Sequence, residues 1–542
     1  MNFSFFDGNG KEIFPEKKYI SEDILKDCGS TLTIKTSLPV INCAGYWHPL
    51  LDRIAPMDLP WRIDFTCGAN CGFSYLAFFD QNYINRCSIA LTNCIDDCRI
   101  KAEMNQEAYC YNITLAIAIS DKTAPFEIWV NQENISFENV LAKFRKLLLP
   151  STPHYPAEAW TPVYCTWYAV HAALTEDYLE NNCSEAHDLG FRTFIVDDGW
   201  CFDENKRITP ETLQDWYRWI GDWQLSENKL PNMQKIIRSA QDKQMKYLFW
   251  TAPFFIGKDS QIAQEVTNYI TPLHEGQRLF DPADSNIAKK TMEKVLDVFR
   301  KQNLDGLKID FIDIIPPDVE RPRSRIIYEY TKELTERIKA IKPDALIEFR
   351  QNYSTPVTAS MATAFRAGDV PFDYIKNAQR CIQLRLLLGD KIPVHSDPVY
   401  FSQNELDENV ARHMMSALLG VPMISMELKD IAPQHKKIIK HHINLYNNCR
   451  EILNSGHWEF SFFYGHTKWC RCSSVNGTVI WLWDQNALCD ALKDVAEENT
   501  IICNMSSANL TGDQFQYFNP DGSLNPAHAP LGGTMQRIIK NS

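Results

Sequence analysis

The sequence predicts an α/β protein: an eight-stranded β/α (TIM) barrel flanked by an N-terminal β-sandwich and a small C-terminal β domain. Two observations lead to this fold class. Between about residues 156 and 450, short apolar strands alternate with longer amphipathic segments. On either side of this stretch, the apolar runs are short, rich in β-branched and aromatic residues, and separated by turn signals.

The N-terminal part, residues 1–155, is predicted to form an antiparallel β-sandwich. Its strand candidates include "WRIDFTC", "GFSYLAFFD", "NITLAIAIS" and "FEIWV". The segment "ENVLAKFRKLLLPSTPHYP" then predicts a helix stopped by prolines, which would link this domain to the next.

The middle part, residues 156–450, supplies eight strand–helix units of roughly 30 to 50 residues, which suits one pass around a barrel. A doubly wound sheet would use similar units, but it usually shows a glycine fingerprint after its first strand, and "PVYCTWYAV" has none. The strand candidates are "PVYCTWYA", "RTFIVDDGW", "KYLFWTAPF", "GLKIDF", "ALIEFR", "AFRAGD", "IPVHSD" and "VPMISMEL". The last part, residues 455–542, returns to strand patterns and predicts a second, smaller β domain.

Charge and cysteine content disfavour several classes of partner and cofactor. A net charge of −13 argues against nucleic acid and anionic membranes, so we expect a small-molecule ligand. The sequence shows no signal-peptide pattern, and its seventeen cysteines fit free thiols in a reducing, cytoplasmic compartment. The pairs in "CGANC" and "CIDDC" have three-residue gaps that suit zinc poorly, so no metal or other cofactor is predicted.

Polar and aromatic side chains stand at the C-terminal ends of the predicted barrel strands. These ends open onto the active site of a β/α barrel, so charges such as Lys308 and Asp310 in "DGLKIDFID" would face substrate and not an apolar core. Each residue alone has a structural alternative, such as a turn, a cap or an ion pair, but unrelated caps are not expected at the same end of consecutive strands. The residues are Trp167, Asp197, Asp198, Trp250, Lys308, Asp310, Glu348, Arg350, Arg366, Asp369, His395 and Asp397, with Glu427 less clear.

This mixture of groups suits glycoside hydrolysis. Aromatic faces stack on a sugar, charged groups bind its hydroxyls, and two carboxylates on opposite sides of the anomeric carbon perform the chemistry. Lys308 would keep Asp310 ionised, as a nucleophile requires, and Asp369 lies two strands further on as the natural acid.

The motifs "FIVDDGW", "GLKIDF" and "FRAGDVPFD", in that order, resemble the retaining α-galactosidase clan, glycoside hydrolase families 27 and 36, and family 36 more closely. "VHSDPVYF" and "LLGVPMISMEL" are similar to stretches of bacterial members. The resemblance covers the whole barrel, and the flanking β domains match the plan of the family. The resemblance implies a retaining hydrolase that removes terminal α-galactosyl units from oligosaccharides. Family members are often oligomers, so a homo-oligomer is also possible.

The resemblance also implies residue roles. Asp310 would be the nucleophile and Asp369 the acid/base, while Asp197 and Asp198 would bind the axial 4-hydroxyl and the 6-hydroxyl of the sugar. Asp373 competes for the acid role, but the Gly-Asp of "AGD" favours Asp369. Further substrate-binding residues would be Trp250, Lys308 and Arg366, with Trp167 and Trp200 as looser assignments.

The fifth strand departs from the family pattern. Many members carry a cysteine and a glycine-rich run ending in Arg there, whereas this chain has "IEFRQNY". Glu348 and Arg350 therefore place larger, charged groups near the expected 2-hydroxyl, which leaves α-galactose or its 2-acetamido counterpart open as the sugar. Transglycosylation also stays open, because it shares the glycosyl-enzyme intermediate.

Two other classes of function are less favoured. The ring of carboxylates could hold Mg²⁺ in a barrel lyase. The tryptophans argue against this, and so does the lack of a third strand that ends unambiguously in an acidic residue. A sugar-binding protein without catalysis would not need both candidate carboxylates, Asp310 and Asp369.

Overall fold

A computed structural model describes residues 1–13, 18–51, 55–56, 61–267, 269–270, 277–463, 465–495 and 499–537 of the protein. It confirms the predicted fold class, because a ring of eight parallel strands lies between two regions that consist largely of antiparallel sheet. No helix in the described ranges is long and apolar enough to cross a membrane.

The N-terminal region contains two six-stranded antiparallel sheets, ordered β2-β1-β4-β11-β10-β7 and β3-β12-β9-β8-β5-β6. Strand β4 shows why the two sheets pack face to face. Its residues Leu32, Ile34 and Leu38 alternate with more exposed residues, so one face of the sheet is apolar and buried. The elements are β1 Ser4–Phe6, β2 Glu12–Ile13, β3 Tyr19–Ile20, α1 Glu22–Asp27, β4 Thr31–Pro39, β5 Gly45–Trp47, β6 Ala55–Pro56, β7 Arg62–Cys67, β8 Tyr75–Phe79, β9 Asn85–Leu91, β10 Cys98–Asn105, β11 Cys110–Ala118, β12 Phe126–Asn131 and α2 Phe137–Leu148.

The barrel strands follow one another in chain order around the ring, and each lies in a segment predicted from the sequence. The last strand pairs with the first at Val163–Met423, and bridges at His395–Val421 and Val399–Ile424 close the remaining gap. The strands of the barrel region are β13 Val163–Cys165, β14 Thr193–Val196, β15 Lys246–Thr251, a small inserted sheet of β16 Phe255–Gly257, β17 Tyr269–Ile270 and β18 Gln277–Phe280, then β19 Gly306–Ile309, β20 Leu346–Arg350, β21 Ala364–Arg366, β22 Val394–His395 and β23 Met423–Ile424.

Helices surround the barrel and carry local start and stop signals. The Thr175 hydroxyl caps α4 by accepting a hydrogen bond from the Tyr178 amide at 3.1 Å, and Gly190, with φ of 105°, ends that helix. The helices are α3 Trp167–Val170, α4 Glu176–Leu189, α5 Met233–Asp242, α6 Ser285–Lys301, α7 Ser324–Ile341, α8 Tyr374–Leu388, α9 Asp407–Ala417 and α10 Pro433–Ser455. Short 3₁₀ turns occupy Ala157–Trp160, Leu213–Asp215, Ile262–Gln264, Gln351–Tyr353 and Leu428–Asp430.

The C-terminal region forms one seven-stranded sheet, ordered β24-β25-β26-β27-β30-β28-β29. It has an apolar core of its own around Ile480, Ile502 and Met535. The elements are β24 His457–Phe463, β25 His466–Ser474, β26 Gly477–Leu482, the 3₁₀ turn Gln485–Ala487, α11 Leu488–Ala491, β27 Thr500–Asn504, β28 Phe515–Phe518, β29 Leu524–Asn525 and β30 Thr534–Arg537.

A single apolar core extends from the second N-terminal sheet into the barrel. Trp47, Phe73 and Phe144 belong to the same buried cluster as the barrel strands. The Trp47 indole also donates a hydrogen bond of 3.0 Å to Gln383 Oε1 on α8. The two N-terminal sheets also enclose a separate core of their own, which includes Leu32, Ile34 and Ile89.

Candidate active site

Asp310 directly follows β19 and is held by four groups. The Trp250 indole donates to its Oδ2 at 3.1 Å and the Phe311 amide donates to its Oδ1 at 3.0 Å. Arg350 Nε lies 3.0 Å from Oδ1, and Lys308 Nζ lies 3.7 Å from Oδ2. Burial raises the pKa of Asp310, but the charges of Arg350 and Lys308 outweigh it, so the pKa lies below its ordinary value. This carboxylate is therefore ionised and fixed in direction.

The residue after Asp310 has a strained backbone. Phe311 has φ of 58°, a left-handed conformation that costs a non-glycine residue about 1–2 kcal/mol. Contacts on its side chain hold it there, since the Arg350 guanidinium carbon lies 4.1 Å from its ring centroid and the Phe255 ring packs against it at 5.2 Å.

The two acidic residues that end β14 have different environments. Asp197 Oδ2 accepts from Lys308 Nζ at 2.7 Å and from the Cys165 thiol at 3.2 Å, and its Oδ1 accepts from the Asp198 amide at 3.0 Å, so both oxygens have partners. Asp198 Oδ1 is buried and has no hydrogen-bond partner among the described residues. Burial, and then the charge of Asp197, raise the pKa of Asp198 to about 7. An unsatisfied buried oxygen of this kind suits a hydroxyl group of a ligand.

Arg366, at the end of β21, gathers three carboxylates. Its Nη1 donates to Asp369 Oδ1 at 2.9 Å and to Asp397, and its Nε lies 3.2 Å from Glu348 Oε1. Burial raises the pKa of Glu348 to about 6 and that of Asp397 to about 7. The sequence placed Asp397 at a strand end, in "VHSD", but did not include it among the substrate-binding residues.

Arg350 joins the two candidate catalytic carboxylates. Its Nε contacts Asp310, and its Nη1 donates to Asp369 Oδ2 at 3.3 Å. Asp369 is the exposed member of the pair, with 47% of its side-chain surface accessible. Partial burial raises the pKa of Asp369, but Arg366 and Arg350 lower it further, so it lies well below its ordinary value. Both carboxylates are ionised in this state.

The three tryptophans singled out from the sequence occupy different positions. Trp250 contacts Asp310 and stacks on Tyr217 with ring centroids 5.7 Å apart. Trp167 is partly exposed and stacks on Trp216 at 6.0 Å. Trp200 is fully buried, and its indole donates to the Trp250 carbonyl at 2.8 Å, so it supports the backbone of Trp250.

Asp373, the sequence competitor for the acid role, has a structural task. Its side chain accepts from the Lys376 amide at 2.9 Å and caps the N-terminus of α8. It makes no ion pair with Arg350 or Arg366 within the described parts of the chain.

A loop of the N-terminal region reaches the barrel mouth, which the sequence did not indicate. Asn70 Nδ2 donates to the carbonyls of Ile315, at 2.8 Å, and Ile312, at 3.4 Å, in the loop that follows Asp310. The Gly72 amide donates to the Asn352 carbonyl at 2.8 Å. We call residues 67–72 the Asn70 loop.

Asn352 links the loops after β19 and β20. Its side chain donates to Asp313 Oδ2 at 2.7 Å, and Asp313 Oδ1 lies 4.0 Å from Arg350 Nη2. The Asn70 loop therefore contacts both loops that carry Asp310 and Arg350.

The cysteines of "CGANC" and "CIDDC" are free thiols, as are all seventeen. Within the described ranges, no group of three or more His, Cys, Asp or Glu side chains is arranged to hold a metal ion.

The chain is similar to known proteins in sequence. Residues 144–340 match the family model described as Melibiase. Over 190 residues the chain is 26% identical to α-galactosidase 2 of Pediococcus pentosaceus, covering 34% of this chain and 24% of that protein, so the chain spans about a quarter of that relative's length.

Solved structures share the fold at low sequence identity. The galactosidase domain of the α-galactosidase–sucrose kinase AgaSK is 13% identical with a TM-score of 0.66, over 99% of this chain and 88% of that one. A variant of the α-galactosidase AgaA of Geobacillus stearothermophilus, in complex with raffinose, is 12% identical with a TM-score of 0.65, over 94% and 78% of the two chains.

Proposed function

We propose that this chain, whose residues 144–340 match the melibiase family model, is a retaining glycoside hydrolase that removes terminal α-galactosyl units from oligosaccharides. The observation that carries the proposal is Asp310: a buried carboxylate at a barrel mouth, kept ionised by Arg350 and Lys308 and oriented by the Trp250 indole.

In the first step, the Asp310 carboxylate attacks the anomeric carbon and forms a covalent ester as the glycosidic C–O bond breaks. Asp369 gives its proton to the leaving oxygen. In the second step, Asp369 takes a proton from water, whose oxygen attacks the same carbon and releases the sugar and Asp310. Two inversions give net retention, for which the carboxylates should stand about 5 Å apart. A single guanidinium such as Arg350 can span that separation.

The acid step requires a protonated Asp369, whereas Arg350 and Arg366 favour its ionised form. A sugar bound between Asp310 and Asp369 would displace Arg350 from Asp369 and lower the local dielectric constant. Both changes raise the pKa of Asp369, so substrate binding would itself prepare the acid.

The residues around Asp310 also support the sugar assignment. Asp198 offers an unpaired buried oxygen to a sugar hydroxyl, and Lys308 is held beside Asp197 and Asp310. Arg350 occupies space that a 2-acetamido group would need if the sugar lies as the family resemblance implies, which favours galactose. The seventeen unpaired cysteines support a reducing, cytoplasmic location.

The first test is a panel of p-nitrophenyl glycosides with and without EDTA, including the α-galactoside, the α-N-acetylgalactosaminide and the β-L-arabinopyranoside. We expect release from the α-galactoside that EDTA does not change. Preferred release from the α-N-acetylgalactosaminide would replace the sugar assignment, and loss of activity in EDTA would contradict a metal-free mechanism.

The roles of the two carboxylates are tested by azide rescue. Asp310→Gly should lower turnover by about a thousandfold or more, because the nucleophile is lost. Added azide should then take its place on the same face and yield the β-galactosyl azide. In Asp369→Gly, azide should instead attack the glycosyl-enzyme and yield the α-galactosyl azide. The reverse pairing of anomers would exchange the two roles, and wild-type turnover in Asp310→Gly would reject the nucleophile.

A further inference from the structure

The rim of the barrel beside Asp369 carries a run of three aromatic side chains. The Phe372 and Tyr400 rings meet edge to face with centroids 5.2 Å apart, and the Tyr400 ring lies 6.4 Å from that of Tyr168. Phe372 is 64% exposed, and the other two are partly exposed. These residues follow β21, β22 and β13, so the run, which we call the aromatic rim, crosses one side of the mouth.

Hydrogen bonds fix the aromatic rim relative to the acid/base candidate. The Tyr168 hydroxyl donates to Asp397 Oδ2 at 3.0 Å, and the Val370 amide donates to the same oxygen at 2.7 Å. The Tyr400 amide donates to the Pro371 carbonyl at 3.2 Å. Since Arg366 joins Asp397 to Asp369, the rim and the acid form one connected unit.

We propose that Phe372 and Tyr400 form the binding subsite for the leaving-group sugar, an inference that rests on the proposed function. The acid must reach the glycosidic oxygen, so the departing part of the substrate lies on the side of Asp369. An exposed Phe three residues after the acid is placed to pack against the C–H face of that sugar ring. The ligand class is a neutral pyranose joined through its oxygen to the α-galactosyl unit.

Two substrates with different leaving groups distinguish this subsite from the galactosyl site. α-Galactosyl fluoride has a leaving group too small to reach the aromatic rim, whereas raffinose carries a sugar ring there. Both substrates form the same glycosyl-enzyme on Asp310. The ratio of their kcat/KM values therefore cancels effects on the galactosyl site and reports what the leaving group requires, namely binding at the subsite and the proton from Asp369.

The experiment compares this ratio in wild type, Phe372→Ala and Phe372→Tyr. We expect the raffinose-to-fluoride ratio to fall about tenfold in Phe372→Ala, as the loss of one aromatic contact implies. Phe372→Tyr, which keeps the ring, should restore the wild-type ratio. Tyr109→Ala is the matched control, because Tyr109 is an aromatic residue 78% exposed in the N-terminal region, and it should leave the ratio unchanged.

The two proposals fail in different ways. If wild type turns over neither substrate, the proposed function is wrong and the subsite falls with it. If wild type turns over both and Phe372→Ala leaves the ratio as it was, the subsite is refuted while the proposed function stands. Melting temperatures of all variants should agree, because Phe372 is largely exposed.

Discussion

At the scale of single residues, Arg350 has the most unusual position. One guanidinium group contacts both candidate catalytic carboxylates and packs on the strained Phe311 ring. Many family members carry a cysteine and a glycine-rich run ending in Arg around this strand, so the sequence indicated that "IEFRQNY" departs from the family pattern. It could not show the pairing, because Asp310 and Asp369 belong to other strands.

Arg350→Gln should move both limbs of the pH–activity profile to higher pH. Asp310 must be ionised to attack, and removing the nearby positive charge raises its pKa, so activity is lost at a higher pH on the acid side. Asp369 must be protonated to donate, and its raised pKa extends activity on the alkaline side. The measurement is kcat/KM for an α-galactoside across pH.

Arg380→Gln is the matched control for this profile. Arg380 also contacts Asp369, but it donates to the backbone carbonyl, at 3.0 Å, and not to the carboxylate. Its removal should leave both limbs in place. A shift of the Arg350→Gln profile to lower pH would contradict the electrostatic role of Arg350.

At the scale of elements, the segment between β21 and α8 places two aspartates four residues apart in different roles. Asp373→Asn keeps an acceptor for the Lys376 amide and should retain turnover and stability. Asp373→Ala should lower the free energy of unfolding by about 1 kcal/mol, since the helix cap is lost. Thermal melting and p-nitrophenyl α-galactoside assays check both variants.

Asp369→Asn provides the contrast to the Asp373 variants. It should fold normally and lose turnover of substrates with poor leaving groups, because no proton is available to the departing oxygen. If Asp373→Asn instead abolished turnover at unchanged stability, the acid would be Asp373.

The barrel strands could be predicted from the sequence because each is a short apolar run followed by a polar or aromatic residue, which is a local pattern. The family resemblance and the fold class are both confirmed. The sequence did not predict the small inserted sheet of β16–β18, nor the position of Tyr217, which stacks on Trp250. Tyr217 lies in an irregular segment, and no hydrophobic period there shows which side chain turns inward.

At the scale of the whole molecule, the Asn70 loop ties the N-terminal region to the active site. Asn70 is buried and donates to two carbonyls in the loop after Asp310, the loop that begins with the strained Phe311. Its partners lie more than 240 residues away in sequence. The motif "CGANC" draws attention to its two cysteines and gives no sign of a role for the asparagine. This contact could therefore not be predicted from the sequence.

Asn70→Ala should lower kcat by about tenfold or more, because a small displacement of the loop after Asp310 misplaces the nucleophile. The variant is compared with wild type by steady-state kinetics and thermal melting. Restoration of kcat in Asn70→Gln would indicate that the donated hydrogen bonds are the cause.

Asn85→Ala separates this effect from simple destabilisation. Asn85 is equally buried and also donates to two carbonyls, those of Asn131 and Glu133, but both lie within the N-terminal region. It should lose stability comparably while the folded protein keeps its kcat. Equal loss of kcat in the two variants would show that Asn70 has no special influence on the site.

The apolar core shared by the N-terminal sheet and the barrel limits how this protein can be recombined. Trp47, Phe73 and Phe144 pack into the barrel cluster, so a junction near residue 155 would cut through a close-packed interior. A chimera that takes its N-terminal region from a relative would need matching shapes on both sides of that cut. The seven-stranded C-terminal sheet would meet the same requirement, because Trp458, Cys470 and Trp481 belong to the barrel cluster even though the sheet also has a core of its own.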